Sequence, residues 1–145
     1  MNLKPAKGLP LLNKALRILI ADKQHFQRLR IERLFNQLGY YRVAPAQNLE
    51  ELLTLIEYGE LPFDLVVINA SLSDEALNLA DYFLDSPQVR HALIYAGAQL
   101  PPLPVCGPQK VHLSDAALPD LMSIQRLITT VDPRVPFVGT VISVR

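Results

Sequence analysis

Leu16-Arg17-Ile18-Leu19-Ile20-Ala21-Asp22-Lys23-Gln24-His25 is an apolar, partly β-branched run that breaks abruptly into charge at Asp22. Apolar residues at consecutive rather than alternate positions mark a strand covered on both faces, which requires a layer of structure on each side of its sheet. Downstream, Ile31, Leu34, Phe35 and Leu38 recur at the spacing of one helical stripe, Leu29 lies off it, and Gly39 stands where the helix should stop. The stretch therefore reads as a β-α unit: a strand ending at Asp22 and a helix over residues 24–38.

The same grammar repeats along the chain. Residues 40–44 are predicted as a second strand, closed by Pro45. Asn48 and Glu51 have the spacing of a capping pair for a helix carrying Leu49, Leu52, Leu53 and Ile56, ended by Gly59. Residues 63–68, with Leu65-Val66-Val67-Ile68, form the most strand-like segment. Ser71 and Ser73 are placed as caps ahead of a helix with the stripe Ala76, Leu79, Ala80 and Phe83, closed by Pro87. Ala92-Leu93-Ile94-Tyr95 is the fourth predicted strand. Pro101-Pro102-Leu103-Pro104 and Gly107-Pro108 then cannot propagate a helix or supply a central strand, so a proline-rich loop is expected in place of a fourth helix. Residues 111–114 give a short fifth strand, and Leu121, Ile124 and Ile128 mark a last helix starting near Pro119 and ending at Asp132-Pro133.

Alternating strands and helices specify a parallel sheet with right-handed crossovers. Five such units predict an α/β, flavodoxin-like three-layer sandwich with strand order 2-1-3-4-5, comprising an extension at 1–14, one domain at 15–132 and a β-prone tail at 133–145. Function in such sheets gathers at the carboxyl ends of the strands, beside the point where strand order reverses. That puts Asp22, Lys23, Asn69, Ala70, Tyr95, Ala96, Ser114 and Asp115 together.

Composition narrows the chemistry. The 145 residues are half hydrophobic, enough for one core, and carry 14 basic and 14 acidic side chains, so no field of one sign recruits nucleic acid or an anionic membrane. Arg28, Arg30, Arg33 and His25 make the first helix basic, but with Glu32 among them they read as a solvated face. No room for an added DNA-binding helix-turn-helix domain is expected after Asp132. One cysteine, Cys106, fits a reducing compartment, and no apolar run reaches membrane-spanning length, so a soluble cytoplasmic protein is expected. His25, His91 and His112 lack metal-ligand spacing to one another or to Cys106. No glycine-rich phosphate loop follows the first strand, and no cofactor is expected.

The segment 18–28 with the apolar spacing up to Leu38-Gly39-Tyr40, together with Phe63-Asp64-Leu65-Val66-Val67-Ile68-Asn69, resembles response-regulator receiver domains of the CheY-like family over residues 15–131. The resemblance implies a phosphoryl-accepting carboxylate at the end of the third strand and an acidic pair after the first strand for a divalent cation. Asn69 fills the acceptor position with an amide, and the acidic pair becomes Asp22-Lys23. The switch hydroxyl falls on Ala96 or Tyr95, and the family's lysine on Asp115 or Ser114. A pseudo-receiver is therefore expected, neither an enzyme nor a phosphoacceptor. Lys23 could stand in for the metal by pairing with Asp22, against the plainer reading of a solvated lysine.

Function is then expected on the surface, through a histidine kinase, a phosphotransfer protein or another regulator. Two segments are candidates: the proline-rich loop with Pro101, Pro102 and Pro104, and the apolar tail around Phe137 and Val141, which could add a strand in a homodimer. The competing expectations are a small-ligand binder using the crevice of the same fold, and a receiver accepting phosphate on Asp22 or Asp115 instead.

Overall fold

The computed structural model describes residues 15–73, 78–96 and 110–132. In chain order the elements are β1 (Ile18–Ala21), α1 (His25–Gln37), β2 (Val43–Ala46), α2 (Leu49–Tyr58), β3 (Leu65–Asn69), a 3-10 turn (Ala70–Leu72), α3 (Leu79–Asp85), β4 (Ala92–Tyr95), β5 (Val111–Leu113) and α4 (Leu121–Val131). The strands form one all-parallel sheet in the order β2-β1-β3-β4-β5, the flavodoxin-like arrangement predicted from the alternation.

Side chains alternate across the sheet and divide the core in two. Ile18, Ile20, Leu65, Val67, Leu93 and Tyr95 meet Ile31 and Phe35 of α1 and Ile124, Leu127 and Ile128 of α4 on one face. Leu19, Ala21, Val66, Ile68, Ala92 and Ile94 meet Leu52 and Ile56 of α2 and Leu79 and Phe83 of α3 on the other. The consecutive apolar runs in β1, β3 and β4 follow from this, since every residue of these strands except Asn69 is buried. Leu34 and Leu38 pack at the edge of the first cluster, whereas Leu29 is 37 % exposed, as its place off the stripe requires.

Several boundaries differ from the sequence expectation. The second strand is Val43–Ala46 and includes Pro45, while Tyr40 precedes it. Arg42 and Ala46 turn their carbonyls toward β1, accepting from Ile18 and Asp22, so Pro45 points away from β1 at the rim of the sheet, where its missing N–H breaks no ladder bond. Tyr40 instead closes α1: its amide donates to Phe35, and its buried hydroxyl donates to Asp132 at 2.7 Å. Asp132 in turn caps α4, its N–H reaching Ile128. Gly39 ends α1 with φ 97, in the left-handed region that favours glycine.

Helix caps differ too. Asn48 caps α2 through Glu51 N–H as expected, but the Glu51 carboxylate reaches back to the N–H of Gln47 rather than that of Asn48. Gly59 ends α2 with φ −74; a Cβ there would stand 2.7 Å from the Leu55 carbonyl, so close approach rather than a turn demands glycine. Asn78, not Ser71 or Ser73, caps α3, by accepting from Asp81 N–H, and α3 is correspondingly short. Pro119 lies outside α4, which Asp120 caps by accepting from Ser123 N–H. Ala76, the proline-rich loop with Pro101, Pro102 and Pro104, and the tail with Phe137 and Val141 lie outside the described residues. No helix among the described residues is long and apolar enough to cross a membrane.

Candidate functional site

Asp22 ends β1 with its N–H on the Ala46 carbonyl, and the chain turns there into α1. The turn is built by its own side chain. Oδ1 accepts from the N–H of Gln24 at 2.8 Å, and Gln24 then serves as the N-cap of α1 without a side-chain cap of its own. Arg28, in the first turns of α1, braces the turn from the far side: Nη1 donates to the Asp22 carbonyl at 2.6 Å and Nη2 lies 3.2 Å from His25 Nδ1.

The second carboxylate oxygen faces across the sheet. Asn69, at the end of β3, donates from Nδ2 to Asp22 Oδ2 at 3.0 Å, and Tyr95, at the end of β4, donates its hydroxyl to the same oxygen at 2.5 Å. The orientation of the Asn69 amide follows from its other end, since Oδ1 accepts from Ser71 N–H at 2.8 Å and opens the 3-10 turn after β3. Asp22 is thus a carboxylate with 1 % of its surface exposed that accepts three hydrogen bonds from three elements. Such groups are stabilised in an interior only when their lone pairs are satisfied in this way.

Tyr95 is the least exposed member. Burial raises its pKa far above the usual phenol value, and the hydrogen bond to Asp22 and the Asp22 charge raise it further, while Arg28 opposes them weakly. The phenol therefore remains a donor throughout the physiological range.

The other positions singled out in the sequence do not join this cluster. Lys23 is exposed and makes no hydrogen bond or ion pair among the described residues. The donors that occupy Asp22 are Asn69 and Tyr95 instead. Ala70 begins the 3-10 turn. Ala96 has φ 58, a conformation costing a non-glycine residue about 1–2 kcal/mol, and its N–H donates to the Ala116 carbonyl at 2.8 Å. Ser114 turns its hydroxyl to Ala116 N–H, and Asp115 is exposed. Sequence reasoning missed Arg28 as a brace because it read the arginine on a solvated face. The signal was its place three residues before Ile31, on the buried side of α1.

Among the described residues Asp22 is the buried carboxylate at this end of the sheet, and a cation at its Oδ2 would have to displace Asn69 and Tyr95. Among the described residues no group of three His, Cys, Asp or Glu side chains is arranged to hold a metal. No protein-family model and no curated protein matches this chain. What the protein does is therefore read from its own residues.

Proposed function

We propose that this protein is a receiver-like signalling module that acts by binding another protein and neither binds magnesium nor accepts a phosphoryl group. The observation that carries this reading is the closure of Asp22 by Asn69 and Tyr95. An amide replaces the nucleophile, and the remaining acid has its lone pairs committed to the protein's own donors. The reading draws its two-component context from the resemblance of residues 15–131 to receiver domains.

A surface for such binding is available on α1. Phe26 is 65 % exposed and Leu29 37 %, and the Arg30 guanidinium lies 5.7 Å from the Phe26 ring centre, within cation–π range. Exposed aromatic and arginine side chains on a rigid helix are the residue types that dominate protein interfaces. The partner class is a histidine kinase, a phosphotransfer protein or another regulator.

Incubation with acetyl phosphate and magnesium, read by intact mass, tests the inactive half of the proposal. The expected spectrum is unchanged, and a stable added phosphoryl group overturns the reading. Affinity capture from the native host, repeated with the Phe26→Ala/Leu29→Ala variant, tests the binding half. Signalling proteins should be recovered with the native chain and lost with the variant.

A further inference from the structure

On the face of the sheet opposite α1, a groove of about 570 Å³ runs between α2 and α3. Its lining extends from Asn78, the cap of α3, to Gln88, just beyond the end of that helix. A helix of this length spans about 10 Å, which matches about three residues of an extended peptide. Tyr82 and Pro87 supply apolar wall, and Glu57 from α2 with Asp81 and Asp85 from α3 supply carboxylates on both sides. No lysine or arginine lines it among the described residues.

The charge of Asp85 is placed against the stability of the free protein, whereas Asp81, in the first turn of α3, is favoured by the helix dipole. Asp81 and Asp85 stand one turn apart on the same helix, a like-charge spacing that is unfavourable. Asp85 is also the last residue of α3, where the helix dipole disfavours negative charge. Glu57 is held facing them by the Tyr82 hydroxyl, which donates to Oε2 at 3.1 Å, and burial and this contact push the phenol up to about 12. Lys110 donates its ammonium to the carbonyls of Leu84 and Ser86 and interacts by charge with Asp85.

We infer that this groove docks an extended basic segment of a protein partner, arginine or lysine heads meeting Glu57, Asp81 and Asp85 while their aliphatic stems lie along Tyr82 and Pro87. Charge complementarity decides the occupant: a lining with three carboxylates and, among the described residues, no lysine or arginine selects cations, and the apolar wall selects cations carried on hydrocarbon stems over bare ions. The inference extends the partner-binding reading by naming the partner's chemistry. It is separable from the inactive crevice, because Asp22 is not part of the groove.

Fluorescence anisotropy of the full chain with a labelled hexa-arginine peptide tests it, alongside calcium chloride and spermidine. The peptide should bind with an affinity that falls as salt is raised. The Asp81→Asn/Asp85→Asn variant should weaken it by about tenfold, the equivalent of about 1.4 kcal/mol. Glu57→Gln, which keeps an acceptor for Tyr82, should weaken it in the same direction, while Glu32→Gln on α1 should leave it unchanged. Circular dichroism of each variant confirms that the fold is intact. No peptide binding, equal weakening by Glu32→Gln, or binding of calcium or spermidine as tight as that of the peptide each overturns the inference.

Discussion

Tyr95 on β4 donates its hydroxyl across β3 to the carboxylate of Asp22, the residue just after β1, joining residues 73 apart in the chain. Tyr95→Phe keeps the ring and removes only this donor. Because the acceptor is a buried carboxylate, the variant should lose about 1.5–3 kcal/mol of stability, the range for hydrogen bonds to charged groups. Urea unfolding measures it, and a midpoint equal to that of the native chain would show that the bond contributes nothing.

Asn69→Asp sets a second carboxylate against Asp22 in place of a donor. Two adjacent carboxylates cannot both ionise without mutual destabilisation. The variant should be less stable than the native chain at neutral pH, should recover as pH falls through the carboxylate range, and should be rescued by magnesium. Thermal unfolding across pH, with and without magnesium chloride, checks all three. Native protein should show no magnesium response.

His91 precedes β4, and its pKa is lowered from 6.5, chiefly by burial, then by the charges of His112, Arg90 and Lys110, with Asp64 opposing. A buried Nδ1 without a hydrogen-bond partner fits a neutral imidazole. The unfolded chain takes up the proton first, so the contribution to stability is present above pH 6.5 and is lost as pH falls below it toward the depressed folded value. His91→Gln should flatten the stability profile between about pH 7 and pH 5. An unchanged slope would place the acid sensitivity elsewhere.

Tyr40 and Asp132 tie the end of α1 to the end of α4, and both are buried. Burial, followed by the bond and charge of Asp132, holds the phenol far above its usual pKa, so it stays a donor. Tyr40→Phe should destabilise the fold by about 1.5–3 kcal/mol. Hydrogen exchange should show the added opening in the last turns of α1 and α4 rather than in β3.

The legible parts of the fold were those set by periodicity alone. β1, β3 and β4 are buried on both faces, so their apolar runs need no register to be recognised. β2 was misplaced because Tyr40 looks like a strand residue, whereas its hydroxyl partner lies 92 residues away, and because Pro45 is excluded only from central strands. The α3 cap was misread because three side chains, Ser71, Ser73 and Asn78, could each supply an oxygen, and the start of the helix decides among them. At the crevice, the sequence placed Asp22, Asn69 and Tyr95 at neighbouring strand ends. That Asn69 and Tyr95 donate to a single oxygen depends on strand spacing and rotamer, which no local pattern encodes.

Pro45 has a consequence for how molecules of this protein meet. On the open side of β2, Pro45 has no amide to offer, and the amide of Val43 is already spent on the carbonyl of Tyr41. A strand arriving from another chain would find carbonyl acceptors there and no donor from either residue, half of what a ladder needs. The β2 border is thus sealed against runaway sheet growth, and crowded copies of the molecule are kept from zipping together along it.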